Sequence, residues 1–280
     1  MRVASPALMK VSACAGPLLN ARRTIMILTL LGVLIGRPLA AQDADLEKQI
    51  QNPVASLISV PFQNNIDTGI GDFDRTRNTL NIQPVLPFAL GGATLITRTI
   101  IPIITQPIGQ SDSQTGLGDI NLSLFLTPAQ PGSVVYAVGL ATGLPTATDD
   151  VLGTKKLSLG PSFLVMVQPG TWTVGGLVQN TWSVAGDDAR ADVSLLFSQV
   201  FVTKGLSGGW YVNSAPVITA NWKAPSGEKW LVPLGLGGGK LTRVGSTPVN
   251  FQVGAYRYVV SPTGGPAWQF RAQVVLLFPK

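Results

Sequence analysis

The amino-acid sequence predicts an all-β protein, an antiparallel transmembrane β-barrel of about 12 strands. Three observations predict it: strand-like segments recur along the chain, their number is even, and the connections between them alternate between long and short. The segments alternate in polarity or are rich in β-branched residues, and Gly, Pro, Asp and Asn bound them. Each segment is about as long as a strand that crosses a bilayer, roughly 9–11 residues.

The twelve predicted strands follow a short polar lead-in. They span residues 55–65, 78–89, 93–105, 117–127, 133–142, 157–168, 171–184, 192–203, 209–222, 229–239, 248–258 and 267–279. In the last one, apolar residues occupy the even positions from Trp268 to Phe278, whereas Gln269, Arg271 and Gln273 occupy odd positions. Because successive strand residues point to opposite sides, this strand has one face for lipid and one for a polar interior.

The connections support the same architecture. Six of them are predicted to be long, at residues 66–77, 106–116, 143–156, 185–191, 223–228 and 259–266. The others are short, except for an eight-residue gap at 240–247. Outer-membrane barrels have long extracellular loops and short periplasmic turns, and an even strand number places both termini on the periplasmic side.

Prolines and tryptophans bear on the prediction in opposite ways. The six tryptophans lie near predicted strand ends, which suits an aromatic girdle at the membrane interface, although tryptophans there also close soluble β-sandwiches. Six prolines lie inside predicted strands, where proline lacks a donor for the ladder. We therefore expect bulges at several of the following positions: Pro84, Pro87, Pro102, Pro161, Pro216 and Pro233.

The N-terminus has the pattern of a secretory signal peptide. Arg22 and Arg23 precede an apolar run at 25–35, and small residues follow at Ala40 and Ala41. We therefore predict a signal peptide at 1–41, a lead-in segment at 42–54 and a barrel at 55–280. Removal of the signal peptide takes five basic residues and leaves a net charge of +1, so the charge gives no indication of nucleic-acid binding.

The composition excludes several kinds of catalytic site. The chain has no histidine, which excludes a Ser-His-Asp triad and histidine-ligated zinc, and its one cysteine, Cys14, lies in the predicted signal peptide. Acidic pairs in predicted loops, at 72/74, 149/150 and 187/188, match no calcium-loop spacing, and we interpret them as solvated loop residues rather than as a Ca²⁺ or lipopolysaccharide-bridging site. We expect no enzymatic activity, no cofactor and no metal site.

Several motifs occur together in order. They are NPVASLISVPFQNN at 52–65, GLGD at 116–119, VGLATGLPTAT at 138–148, SAPVITANWKAPSGEKWLVPLGLGGGK at 214–240 and LLFPK at 276–280. This combination resembles the bacterial outer-membrane barrels of the phenol meta-pathway type, whose members are labelled transporters. The resemblance implies a barrel that carries small, including aromatic, molecules, and it supplies no catalytic residues. The chain departs from the family at Ala147, where glycine is usual. Many outer-membrane barrels end on an aromatic residue, whereas this chain ends on Lys280, with Phe278 two residues before it.

Polar residues on strand faces are the candidates for lining the lumen: Arg98, Asn121, Asn213, Asn221, Gln269, Arg271 and Gln273. An arginine facing lipid at mid-depth costs about 2–4 kcal/mol, so Arg98 and Arg271 are expected inside. Two interpretations stay open: these residues set the preference for a permeant, or they fill a closed lumen. Segment 42–54 is a candidate plug.

The sequence thus predicts a passive outer-membrane channel or transporter of a Gram-negative bacterium, for small molecules that include aromatic or hydrophobic ones. Its expected partners are outer-membrane lipid, lipopolysaccharide, the barrel-assembly machinery and a permeant of unknown identity, with no nucleic acid. The alternatives are a structural outer-membrane protein with a sealed lumen and a secreted soluble β-sandwich.

Overall fold

The computed structural model describes residue 46 and residues 48–279. The predicted signal peptide and the start of the lead-in lie outside the described residues. Residues 46 and 48–50 are helical, and strands follow from Ile58 onward. No helix among the described residues is long and apolar enough to cross a membrane.

The strand segments are β1 (Ile58–Ile70), β2 (Arg75–Ile82), β3 (Val85–Leu90), β4 (Ala93–Ile108), β5 (Asp112–Leu117), β6 (Ile120–Pro128), β7 (Val134–Leu144), β8 (Lys156–Val167), β9 (Trp172–Gly186), β10 (Ser194–Gly205), β11 (Trp210–Ser214), β12 (Val217–Asn221), β13 (Trp230–Val244), β14 (Thr247–Val260) and β15 (Trp268–Phe278). Segments β2 and β3, β5 and β6, and β11 and β12 each form one barrel strand that is interrupted by two residues. The fifteen segments therefore make twelve strands.

The sheet closes on itself. Every strand pairs antiparallel with its neighbours in sequence, and β1 pairs with β15 from Ile58↔Phe278 to Thr68↔Trp268. The predicted twelve-stranded antiparallel barrel is confirmed. The alternative of a β-sandwich is wrong, because a sandwich needs two separate sheets with free edges, whereas closure leaves no edge.

Two of the predicted long loops are wrong. Strands β1 and β2 reach Ile70 and Arg75, so the connection between them shrinks to residues 71–74, and the next one shrinks to 109–111. The other long connections are found at 145–155, 187–193, 222–229 and 261–267, and the eight-residue gap at 240–247 is a tight turn at 245–246. We call the end with these longer loops the loop end. The opposite end, with the short turns and the start of β1, is the terminal end.

The prolines inside strands lie where pairing with one neighbour lapses. Pro84 and Pro216 lie in the interruptions between β2 and β3 and between β11 and β12, and Pro233 lies at a register shift in β13. Proline has no backbone N–H for the ladder, so these positions lose no hydrogen bond.

The remaining three prolines keep their strands regular and lack a partner on one side only. Pro102 lies opposite the interruption between β5 and β6, and Gly118 N donates to its carbonyl. Pro161 pairs with β7 but falls in a gap of the β8–β9 ladder, and Pro87 lies where β3 has passed the start of β1. Bulges, which we expected at several prolines, are mostly replaced by these one-sided gaps.

The outer surface of the barrel is apolar. Large side chains on it are exposed around the whole wall, among them Val138, Phe163, Val200 and Phe270. All six tryptophans are exposed: Trp172 and Trp210 begin strands at the terminal end, and Trp182, Trp222, Trp230 and Trp268 lie toward the loop end. An apolar band between two aromatic levels is the surface that a membrane barrel presents to lipid.

Candidate functional site

The barrel interior divides into an apolar terminal half and a polar loop half. Inward side chains of the terminal half form one buried cluster that includes Ile96, Phe125, Leu164, Met166 and Phe201. Ile96 of β4 belongs to this cluster, and the other face of β4 lies on the apolar outer surface, so β4 is apolar on both faces. The loop half holds buried Ser, Thr, Asn, Asp and Arg side chains, and the terminal half also buries the polar side chains of Thr94, Thr127, Thr173 and Asn250 beside its cluster.

Residue 46 and residues 48–57 form an N-terminal segment, the plug, that fills the terminal half. Leu46, Ile50, Ala55 and Leu57 pack in a cluster with Leu241, Val275 and Leu277 of the wall, and Val54 joins the cluster of the terminal half. Gln168, in the turn between β8 and β9, donates from Nε2 to the carbonyl of Lys48 at 2.8 Å. The segment is therefore held by apolar contacts on two sides and by a hydrogen bond at its outer end.

A cavity of about 190 Å³ lies between this plug and the polar half. The plug contributes Gln49–Pro53, Ala55 and Leu57 to its lining. Polar wall residues of the lining include Gln63, Gln83, Arg98, Asn213, Arg271 and Gln273. Apolar wall residues of the lining include Val85, Phe201 and Ala215. A solute that passes along the lumen axis meets this cavity before the plug.

Arg271 is the most strongly held charged side chain of the cavity. Only 5% of it is exposed. Its Nε donates to Asn65 Oδ1 at 3.1 Å, its Nη2 to Gln269 Oε1 at 2.9 Å, and its Nη1 reaches the carbonyl of Ala215 at 3.1 Å. The guanidinium also lies 4.8 Å from the ring centre of Tyr256. The interruption at Ala215, opposite Phe201, frees the carbonyl that Arg271 uses.

Asp67 supplies the negative charge of the network. It is 3% exposed and pairs with Arg77, whose Nη2 lies 2.8 Å from Asp67 Oδ2. Its Oδ1 accepts from Tyr258 Oη and from Gln269 Nε2, each at 3.0 Å. The charge of Asp67 is thus balanced by Arg77, and the charge of Arg271 is met by neutral acceptors.

Arg98 approaches the cavity from β4. Its Nη2 donates to Gln83 Oε1 at 2.7 Å, beside the interruption between β2 and β3. The described residues that line the cavity include Arg98 and Arg271 and no acidic side chain. The cavity therefore carries a positive potential.

The structure distributes the seven predicted lumen residues over three places. Arg98, Asn213, Arg271 and Gln273 line the central cavity, and Gln269 bonds to Arg271 beside it. Asn221 lines a second cavity of about 260 Å³ at the loop end, together with Arg190 and Asp192. Asn121 is exposed on β6, and its amide nitrogen donates to the carbonyl of Asp119 at 3.2 Å.

Sequence reasoning missed Asp67, Arg77, Tyr258 and the amides of Asn65 and Gln83. Asp67 and Arg77 were placed in a loop because that stretch is polar. The signal that finds them is alternation, since Gln63, Asn65 and Asp67 are two residues apart and share the inward face of β1.

Two of the sequence motifs meet at the loop end. Asp119, which ends GLGD, accepts from the backbone N of Ala147 and of Thr154 and from Thr154 Oγ1. Thr146 Oγ1 accepts from the backbone N of Ile120 at 2.9 Å. The motifs at 116–119 and 138–148 therefore fasten loop 145–155 to the wall.

Acidic loop residues make structural contacts. The side chain of Lys155 pairs with Asp150 and lowers the pKa of that carboxyl. The backbone N and the Oγ1 of Thr263 donate to Glu228 and lower its pKa. Among the described residues, no group of three or more His, Cys, Asp and Glu side chains is arranged to hold a metal ion.

Comparison with solved structures finds an outer membrane channel from Pseudomonas putida F1, with a TM-score of 0.61 and 14% sequence identity over 81% of this chain and 97% of the channel. A porin aligns with a TM-score of 0.40 and 10% identity over 71% of this chain and 62% of the porin. The outer membrane phospholipase of Salmonella typhi, a dimer with bound calcium, aligns with a TM-score of 0.44 and 12% identity over 82% and 94%. No family model matches the chain, and no curated protein matches it in sequence. The chain therefore shares the barrel fold of an outer membrane channel.

Proposed function

We propose that this chain is a passive channel of the outer membrane for small molecules, without a catalytic or energy-coupled step. The apolar outer wall and its two tryptophan levels support a membrane position. The predicted signal peptide supports export, and with it a periplasmic terminal end. Lipid, lipopolysaccharide and the barrel-assembly machinery are the partners that such a location implies. The ordered motifs at 116–119, 138–148 and 276–280 support the phenol meta-pathway type.

The observation that carries the proposal is the nature of the closure. The polar loop half leads to a cavity whose far side is closed by residues 46 and 48–57, a segment that belongs to no strand. A segment outside the ladder can leave the lumen without breaking a backbone hydrogen bond between strands; the bond that it loses is the one from Gln168 to Lys48. The proposed conducting state is therefore one in which this plug has moved.

Conductance in planar lipid bilayers tests the proposal. We expect small, intermittent conductance from the full chain and a larger, steadier conductance from Leu46→Asp, because the carboxylate cannot remain among Leu57, Leu241 and Leu277. Lys48→Ala is the matched control, since the Lys48 side chain is exposed and only its carbonyl is bonded. Its conductance should equal that of the parent chain.

The second candidate is a structural barrel with a sealed lumen. The buried apolar cluster of the terminal half favours it, because close packing around Phe125, Leu164 and Phe201 leaves little free space there. If neither the parent chain nor Leu46→Asp conducts while both run as folded barrels on unheated gels, the channel proposal is overturned and the sealed barrel stands.

A further inference from the structure

We propose that the central cavity is a binding site for a small organic acid, with the carboxylate held by Arg98 and Arg271 and an apolar body packed against the apolar residues of the lining. The inference rests on the proposed function for its role, since it names the class of solute that the channel would select. Its binding chemistry stands on the cavity alone.

The charge of the cavity supports an anion. Arg271 gives its three bonds to an amide oxygen of Asn65, an amide oxygen of Gln269 and a backbone carbonyl, and Arg98 gives one bond to Gln83. Each of these acceptors is neutral. A buried guanidinium is stabilised most by a carboxylate, which accepts two parallel hydrogen bonds from its planar fork. The hydrogen bond of Arg98 to Gln83 uses Nη2 only, which leaves an edge of its guanidinium for a ligand.

Asp67 is the nearest described acid of the network, and it does not supply that counter-charge. Arg77 pairs with it directly, and Gln269 stands between it and Arg271. The four charged groups Arg77, Asp67, Arg98 and Arg271 therefore leave an excess of two positive charges in the polar half.

The apolar residues of the lining determine what the rest of the ligand is. Val85, Phe201 and Ala215 come from the wall, and Ala55 and Leu57 come from the plug. The volume of about 190 Å³ lies below the range of drug-sized sites, roughly 300–1,000 Å³. A single ring or a short chain that bears one carboxylate fits both the volume and a lining that combines two arginines with apolar residues. Inorganic phosphate matches the arginines but makes no use of the apolar residues.

Equilibrium dialysis of radiolabelled benzoate against the folded, detergent-solubilised full chain tests the inference. We expect saturable binding of one benzoate per chain, competition by unlabelled benzoate, and at least tenfold weaker competition by benzamide and by inorganic phosphate. Arg98→Gln should weaken benzoate binding tenfold or more, since a hydrogen bond to a charged group is lost. Arg257→Gln is the control: Arg257 is exposed beside Trp268 at the loop end, and its loss should leave binding unchanged. Folding of each variant is checked by its mobility on unheated gels.

The outcomes separate the site from the channel. Absence of saturable benzoate binding, or equal competition by benzamide, overturns the inference whether or not the protein conducts. Binding that Arg98→Gln leaves intact also overturns it. Saturable, arginine-dependent binding by a protein that never conducts supports the site and counts against the channel. If phosphate competes as well as benzoate, the cavity is an inorganic anion site and the organic acid is refuted.

Discussion

Replacing Val274 by arginine tests which face of β15 meets the lipid. Val274 pairs with Phe62 and Phe251, and both of those side chains are exposed on the outer wall. It lies six residues from Trp268, which is about 20 Å along a strand at about 3.4 Å per residue. With a tilt of about 40°, the depth below the tryptophan level is about 15 Å, close to the middle of an apolar band about 25 Å tall. Val274→Arg should therefore cost about 2–4 kcal/mol.

Two control variants isolate depth and face. Val259 is an exposed valine two residues beyond Arg257, which pairs with Trp268, so Val259→Arg lies at or above the tryptophan level and should cost about 0–1 kcal/mol. Gln273 lines the cavity beside Gln63 and Gln252, whose amide oxygens can accept from an added guanidinium. Gln273→Arg should therefore cost less than Val274→Arg, although Arg98 and Arg271 already make the cavity positive.

The free energy of unfolding, measured by urea denaturation in lipid vesicles, ranks these variants. The reasoning fails if Gln273→Arg is the most damaging, since the two faces of β15 would then be exchanged. It also fails if Val274→Arg and Val259→Arg cost the same, since depth would then have no effect and the wall would not lie in a bilayer.

Three further predictions concern the loops and the wall. Asp119→Ala removes three hydrogen bonds that fasten loop 145–155 to the wall. A hydrogen bond to a charged group contributes about 1.5–3 kcal/mol, so added protease should cleave that loop faster in the variant. Gly160→Ala puts a Cβ 1.7 Å from the carbonyl oxygen of Asn180, which should reduce the free energy of unfolding by about 1–3 kcal/mol and lower the urea midpoint. In the control Gly176→Ala, the added Cβ lies 3.8 Å from its nearest neighbour, and the midpoint should not change. Because the pKa of Glu228 is lowered in the folded state, its contact with loop 261–267 is complete above about pH 4.3 and is lost as the pH falls through the folded pKa. Pepsin should therefore cut that loop faster at pH 2.5 than at pH 4. Glu228→Gln should abolish this difference between the two pH values.

Sequence patterns predicted the barrel wherever the two faces of a strand meet different surroundings. Strand β15 is the clearest case, since its apolar face lies on the outer surface of the barrel and its polar face turns toward the cavity. The same rule gives no signal in β4, where Ile96 packs inside the terminal half while its neighbours face outward. It also misplaced the ends of β1 and β2, because a strand with polar residues inside the lumen has the composition of a loop.

The candidate site was predicted only in part. Arg98 and Arg271 follow from the cost of placing arginine in lipid, but the chain gives no indication of two of their acceptors, Gln83 and the carbonyl of Ala215, which lie in strand interruptions. The plug had a local signal: Leu46, Ile50 and Val54 recur every four residues, the spacing of a helical face. Where that face docks depends on contacts more than a hundred residues away, at Gln168 and Leu241.

The plug is joined to the wall with no linker between them, since Leu57 is followed directly by Ile58 of β1. A short tether holds a segment near its site at an effective concentration in the millimolar range. At that concentration, an intrinsic dissociation constant of about 10 μM keeps the segment seated in about 99% of molecules. Solutes or peptides at micromolar levels therefore compete poorly for the same space, and dilution has no effect on closure. Tension on the chain ahead of Leu46, or loss of its apolar contacts, shifts the equilibrium far more effectively than any soluble competitor.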